Sequence, residues 1–370
     1  MRVAFVHDYL TQFGGAERVL LEMQPMYPQA PVYTALYDPA AFEGRLANID
    51  VRTSFLQHIP GAKRNFRALL PLYPRAFESF DLRGFDLIIS STSSFAKGVR
   101  VAPGALHVSY VNTPTRFLWY PKEYAMELTP RVARPALALV TPWLRRWDFA
   151  AAQRPHYLIA NSHNVAQRIQ QIYRRTSDVL HCPVEAEAFA GQAPVGDYYL
   201  VMSRLLPYKR IALAIEACQR IGARLIIAGT GPDERRLRAL SSARIEFAGL
   251  VNDEQRRRLI GSARALVVPG IEDFGLVALE AAAAGRPVVA FGAGGSLETV
   301  VEGETGLFFR EPDARSLAQT LQTLEQSPFD RSRMQMHARR FAPEMFRTKF
   351  TALIERYLHE FHSRAAEVRA

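Results

Sequence analysis

Short apolar runs alternate along the chain with stretches of helical spacing. Val3–Val6 leads through His7 and Asp8 to Gly14–Gly15, and from Ala16 onward Val19, Leu20 and Met23 fall on one helical face. DLIIS (Asp86–Ser90), HVSYV (His107–Val111) and YLIA (Tyr157–Ala160) are further strand candidates, each followed by turn residues and then a helical stretch. A second series begins near residue 198 with YYLVM (Tyr198–Met202), LIIA (Leu225–Ala228), IEFA (Ile245–Ala248), ALVV (Ala265–Val268) and VVAF (Val288–Phe291). Helix-like stretches such as Ile211–Ile221 and Leu276–Ala284 lie between them. Runs of this length separated by helices predict parallel sheets covered by helices. Asp178–Pro194, with two prolines, reads as a linker.

The expectation is α/β, with two Rossmann-like domains whose parallel sheets face a central cleft. The first spans 1–185 and the second 186–342. The amphipathic helix 343–370, with Phe346, Phe350, Leu353, Ile354, Tyr357 and Leu358 at helical spacing, is expected to pack back on the first. In such sheets ligands bind beyond the carboxyl ends of the strands.

Composition narrows the class. The chain has 370 residues, and 46 Lys+Arg against 36 Asp+Glu give a formal charge of +10. Residues 1–185 carry 21 basic and 14 acidic groups, so seven of the ten surplus charges lie there. Anionic partners of three kinds fit that surplus: nucleic acid, anionic membrane or phosphorylated ligands. Two cysteines exclude a disulfide framework, and neither a signal peptide nor a membrane-spanning run is expected. The reading is cytoplasmic and thiol-reduced.

The richest stretch is GIEDFGLVALEAAAAG, Gly270–Gly285. Glu272 lies in a loop after a strand, and Phe274, Gly275 and Leu276 would offer backbone N–H groups at a helix start, suited to phosphate or sugar hydroxyls. Glu280, further along the helix, could accept two hydroxyl hydrogen bonds from a ribose. The competing account makes Glu272 a helix cap and Glu280 a surface residue. In SRLLPYKR, Arg204 and Lys209 sit in a strand-to-helix loop where two cations could neutralise a diphosphate, or could be solvated loop charges. Gly14 and Gly15 let backbone approach a ligand, although any turn uses glycine. Their spacing is neither a dinucleotide fingerprint nor a Walker loop. Turns at Gly229–Pro232, Gly249–Leu250 and Gly292–Gly295 are ordinary connections or ligand contacts. His7 stands apart from the other histidines because it neighbours Asp8 and the Gly-Gly loop; His107, His156 and His181 read as structural.

The ordered set GGAE, ANSHNVAQRI, SRLLPYKR, AGTGP, FAGLV, EDFGLVALEAAAAGRPVVA and ETGLF resembles the retaining family 4 glycosyltransferases of the GT-B fold. HDYLTQFGGAERVL, SSTSSFAKGV and GAGGSLETV look closest to a bacterial branch that includes mannosyltransferases of O-antigen and exopolysaccharide assembly. The resemblance implies Glu272 beside the donor sugar, Glu280 on the nucleotide ribose, and Arg204 and Lys209 on the donor diphosphate. Gly14 and Gly15 would approach donor phosphate and acceptor, and Phe274, Gly275 and Leu276 would supply backbone contacts.

It also implies a metal-independent enzyme without cofactor, acting on a nucleotide-sugar donor, with GDP-mannose first and a UDP-sugar as the alternative. The acceptor would be lipid-linked or a saccharide, in surface polysaccharide assembly such as that of lipopolysaccharide. The sequence departs from the family at Asn112–Thr113–Pro114, where relatives usually carry His-Thr-Pro. Asn112 then positions the sugar, or His7 compensates, or activity changes; the first is favoured, with Glu272, Asn112 and His7 as the catalytic set. Basic and aromatic residues at 58–75 (Lys63, Arg64, Arg67, Arg75, Phe66, Leu69, Leu70, Leu72, Tyr73) and 131–147 (Arg131, Arg134, Trp143, Arg145, Arg146, Trp147) suit peripheral attachment to an anionic inner membrane face, or helices packed within the first domain. The remaining rivals are a non-catalytic nucleotide-sugar binder and, last, a nucleic-acid binder, whose motifs are absent.

Overall fold

The computed structural model describes residues 1–63, 66–120, 134–191 and 193–367. Arg64 and Arg131, which the sequence places among the basic–aromatic residues, lie outside the described residues. Two compact units result: one from the described residues of 1–181 with 346–367, the other from 182–345.

The first unit holds a seven-stranded sheet in the order β3-β2-β1-β4-β5-β6-β7. Its strands are β1 (Val3–His7), β2 (Val32–Thr34), β3 (Val51–Thr53), β4 (Leu87–Thr92), β5 (Leu106–Val111), β6 (Tyr157–Ala160) and β7 (Asp178–Val179), paired in parallel throughout. β1, β4 and β5 are buried at every position, as strands covered by helices on both faces must be. The order reverses between β1 and β4, so the loops leaving these neighbours diverge to opposite sides and open a crevice at their carboxyl ends.

Two buried acids fix those loops. Asp8, one residue past β1, accepts the backbone N–H groups of Ser93, Ser94, Phe95 and Ala96, all at 2.5–2.9 Å. Asp148 lies on the helix Arg134–Ala151 and is fully buried. It accepts hydrogen bonds from Lys97 Nζ at 2.6 Å, Thr115 Oγ1 at 2.6 Å, Trp119 Nε1 at 2.7 Å and the Tyr173 hydroxyl at 2.9 Å. Lys97 also donates to Thr115 and to the Ser94 carbonyl. Burial and the Asp148 carboxylate push the Tyr173 hydroxyl well above its usual pKa, so it stays a donor.

The C-terminal helix Pro343–Glu367 joins the first unit from Phe346 onward. Tyr357 stacks on Tyr157 with ring centres 4.0 Å apart, and both Arg356 and Tyr357 donate to Asp178. Asp178–Pro194 is therefore more than a linker: it contains β7 and the short helix Ala186–Phe189. A two-residue edge strand has no alternation to read, and its position depends on partners far along the chain. β2 and β3 escape the pattern for the same reason, at three residues each.

The second unit repeats the plan with six strands ordered β10-β9-β8-β11-β12-β13. They are β8 (Tyr198–Met202), β9 (Arg224–Ala228), β10 (Ile245–Gly249), β11 (Ala265–Val268), β12 (Val288–Phe291) and β13 (Gly306–Phe309), again all parallel. Apolar clusters fill both faces: Ile211, Ile215, Leu317 and Leu321 pack on one, Leu266, Ala278 and Ala281 on the other. The order reverses between β8 and β11. Both sheets are Rossmann-like.

Removing one partner of a buried pair strands the other charge, at a cost of about 3–5 kcal/mol. Lys97→Met is expected to destabilise the first unit by about that amount in urea unfolding, and an unchanged midpoint would show that the Asp148 cluster is not a constraint on the fold.

Candidate functional site

The predicted residues of the second unit converge on its switch point. Arg204 follows β8 and is exposed, its guanidinium without a hydrogen bond or ion pair among the described residues. Lys209, at the end of the turn Pro207–Lys209, is half-buried. Its ammonium donates to both carboxylate oxygens of Glu272, at 2.7 and 2.6 Å. Glu272 therefore does not cap the helix Leu276–Ala283. That helix begins instead at Gly275, whose φ of +101° is a left-handed conformation that a side chain would strain. The Phe274 ring is buried against Phe341, 5.8 Å between centres, so any ligand contact from this residue falls to its backbone.

Glu280 is buried, not a surface residue. The guanidinium of Arg256, on the helix Asp253–Ser262, reaches both of its oxygens, with Nε at 2.9 Å. A bidentate guanidinium fixes the carboxylate plane yet leaves further lone pairs on each oxygen to accept hydroxyls. Sequence reasoning missed Arg256, since it sits in the run Arg256–Arg257–Arg258 with nothing to mark one arginine as turned inward.

Glycines hold these loops together. A Cβ on Gly229 would collide with the Ser203 carbonyl, one on Gly231 with Leu205, and one on Gly270 with the Lys209 backbone. Gly295 lies against the Asp273 carbonyl and the Phe274 Cα, and its N–H donates to the Glu272 carbonyl at 2.8 Å. Gly229, Gly231, Gly270 and Gly295 are thus demanded by loop-to-loop packing, whereas a Cβ on Gly249 would meet open space.

In the first unit His7 ends β1 and is buried; its Nε2 lies 3.4 Å from Glu17 Oε1. Asp8 turns away to the 93–96 amides, so the adjacent pair in sequence is no pair in space. Gly14 is extended and donates its N–H to Glu17 Oε2 at 2.8 Å, while Gly15 opens the helix Gly15–Met23 and is exposed. Asn112, one residue past β5, is buried and donates through Nδ2 to Ser91 Oγ at 3.1 Å; its carbonyl accepts from Asn161 at 2.9 Å.

Other titratable groups are structural. Burial, with His156 and Arg175 nearby, pushes His107 down to about 3, so its ring is neutral beside Ser90. Burial pushes the Cys218 thiol up to about 12, which removes it as a nucleophile.

On the basic–aromatic segments the structure divides the residues. Tyr73 is in the core, Trp147 donates to Glu78 at 2.8 Å, and Arg145 donates to the Leu118 carbonyl at 2.7 Å. Lys63 lies 3.5 Å from Asp38, and Arg75 is exposed. On the helix Arg134–Ala151, Leu139 (82% exposed), Trp143 (48%) and Arg146 face solvent.

Comparison with known proteins agrees with this architecture. Residues 184–341 match the family model of glycosyl transferases group 1. The chain is 48% identical over 71 residues to the D-inositol 3-phosphate glycosyltransferase of Frankia alni, covering 19% of this chain and 17% of that protein. It is 32% identical over 84 residues to the alpha-1,3/1,6-mannosyltransferase ALG2 of Dictyostelium discoideum, covering 23% and 20%. These matches span only about a fifth of each relative's length. The crystal structure of Anabaena Alr3699/HepE in complex with UDP superposes with a TM-score of 0.73 at 18% identity, over 96% of this chain and all of that one. The fold is that of the GT-B glycosyltransferases.

Gly295→Ala forces a Cβ into the 273–274 backbone. It is expected to lower stability by about 1–3 kcal/mol in denaturant or thermal unfolding. An unchanged midpoint would mean that the 272–276 loop yields without cost.

Proposed function

We propose that this chain is a retaining, metal-independent glycosyltransferase that moves a hexose from a nucleoside-diphosphate sugar to a lipid-linked or saccharide acceptor. The observation that carries it is the cluster of Arg204, Lys209, Glu272 and Glu280 around one switch point, with Lys209 and Glu272 in direct contact. The chemistry follows from charge. The bond from C1 of the sugar to the diphosphate oxygen breaks and negative charge grows on that oxygen. Arg204 and Lys209 stabilise it, with the N–H groups of Gly275 and Leu276 at the helix start adding to the field. The acceptor oxygen bonds to C1 on the face the diphosphate leaves, and the acceptor's proton passes to the departing phosphate. Within the second unit, Glu272 is assigned to the sugar and Glu280 to the ribose hydroxyls; in the first unit, Asn112 and His7 are the groups assigned to transfer.

GDP-mannose is the donor we favour, on the resemblance to bacterial mannosyltransferases and the similarity to the ALG2 mannosyltransferase. A UDP-sugar is the second reading, favoured by the similarity in fold to Alr3699/HepE, which was also solved with UDP-glucose. Thermal-shift measurements with GDP, UDP, ADP and their sugars separate the two. The cognate nucleotide at 100 times its dissociation constant stabilises by about 2.7 kcal/mol. A larger shift with UDP moves the donor to the second reading, and no shift with any nucleotide overturns the proposal. Asn112→Ala is expected to cut transfer strongly at unchanged nucleotide affinity; unaltered turnover would remove Asn112 from the site.

A lipid-linked acceptor implies peripheral attachment to an anionic membrane. No helix among the described residues is long and apolar enough to cross a bilayer. The exposed Leu139, Trp143 and Arg146 support an interfacial contact, with apolar groups entering the headgroup layer beside a cation. Co-sedimentation with vesicles containing anionic lipid at low salt is expected, and its loss in Leu139→Ser/Trp143→Ser. No binding to such vesicles would reject the membrane reading.

A further inference from the structure

Glu17 is the one buried carboxylate at the end of β1 that the reading above leaves without a task. Its two oxygens do different work. Oε2 accepts the Gly14 N–H at 2.8 Å, tying the glycine loop to the first turn of the helix. Oε1 faces Nε2 of His7 at 3.4 Å. Both side chains are nearly sealed from solvent, at 3% exposure for His7 and 6% for Glu17. The other imidazole nitrogen, Nδ1, is buried with no hydrogen-bond partner among the described residues.

These contacts select a tautomer. A carboxylate oxygen only accepts, so the nitrogen facing it must carry the hydrogen. Were the proton on Nδ1 instead, the Nε2 lone pair would point at the carboxylate, and a buried Nδ1–H would be left without an acceptor. A doubly protonated ring has the same stranded Nδ1–H. Each costs the desolvation of an unmade hydrogen bond, about 1–3 kcal/mol. The arrangement that avoids both is Nε2–H toward Glu17 with a bare lone pair on Nδ1.

We propose that Glu17 is a positioning residue: it holds His7 as the Nε2–H tautomer, so that Nδ1 is the lone-pair acceptor for a sugar hydroxyl, met directly or through one water. The neighbours make this economical. In the sheet register His7 is opposite Ser91, and Ser91 accepts from Asn112. The ends of β1, β4 and β5 thus bring an imidazole, a hydroxyl and an amide side by side, all three buried. Asn112 donates and accepts through its amide, and His7, two strands along the sheet, adds a nitrogen that only accepts. The tautomer stands on this geometry alone, while its use in transfer rests on the glycosyltransferase reading.

The test has two independent arms. Two-bond proton–nitrogen correlation spectra of histidine-labelled protein report which ring nitrogen is protonated, with the His7 signal assigned by its loss in His7→Gln. The wild type is expected to show the Nε2–H pattern. Glu17→Gln keeps an oxygen for the Gly14 N–H but turns an amide N–H toward Nε2, so the pattern is expected to move to Nδ1–H. A wild-type Nδ1–H pattern, or one that Glu17→Gln leaves unchanged, overturns the tautomer assignment whether or not the protein transfers sugar. In the second arm, Glu17→Gln is expected to lower kcat on the order of 100-fold with the donor KM little changed, and to add nothing in the His7→Gln background. A tautomer that switches while kcat stays constant overturns the catalytic use and leaves the glycosyltransferase reading intact.

Discussion

Four backbone N–H groups end on one carboxylate. Asp8 collects the amides of Ser93 through Ala96, and with them it fixes the path of the chain as it leaves β4. Without an acceptor those amides would be buried and unpaired, each a loss comparable to a broken hydrogen bond. The next residue is Lys97, which the same loop delivers to Asp148, and Asp148 in turn holds Thr115, Trp119 and Tyr173. The loop after β4 and the loop after β5, which carries Asn112, are therefore set by two acids that touch each other only through the chain between them. Everything that the first unit offers at its carboxyl edge hangs on that arrangement.

The second unit reaches a similar end by opposite means. Its loops are held by close backbone approaches at glycine rather than by a central acid, and charges are paired across them: Lys209 with Glu272, Arg256 with Glu280. In the free protein the cation expected to meet a diphosphate already has an anionic partner. A phosphate arriving there would exchange one anionic partner of Lys209 for another, while the exposed Arg204 has no such partner among the described residues to give up.

Much of this was legible in the sequence, and for definite reasons. Tyr157–Ala160, Tyr198–Met202, Ala265–Val268 and Val288–Phe291 are strands residue for residue, because a strand buried on both faces must be a short apolar run. Val32–Thr34, Val51–Thr53 and Asp178–Val179 were hidden, since two or three residues carry no period. Gly306–Phe309 was hidden because its glycine leaves an apolar run of only three residues. At the site, Glu272, Glu280, Arg204 and Lys209 were visible as charges in loops at predicted strand ends and in the first turns of a helix. Their pairing was not, for an ion pair between residues 63 positions apart leaves no local trace. His7 was singled out for its neighbour Asp8, yet Glu17, ten residues on, is the acid it meets. Adjacent residues at a strand end point to opposite sides, whereas the turn of the following helix brings Glu17 back over β1.

The C-terminal helix has a consequence for how the protein is made. From Phe346 it belongs with the first unit, its Tyr357 stacked on Tyr157 and its Arg356 on the β7 residue Asp178. A ribosome delivers residues 182–345 before this helix, so the unit begun second is the first whose sequence is complete. The unit begun first must wait, with the edge of its sheet uncovered, until the last helix emerges. Synthesis order and folding order are then reversed for the two halves, and a nascent chain halted near residue 345 would carry a finished second unit and an unfinished first one.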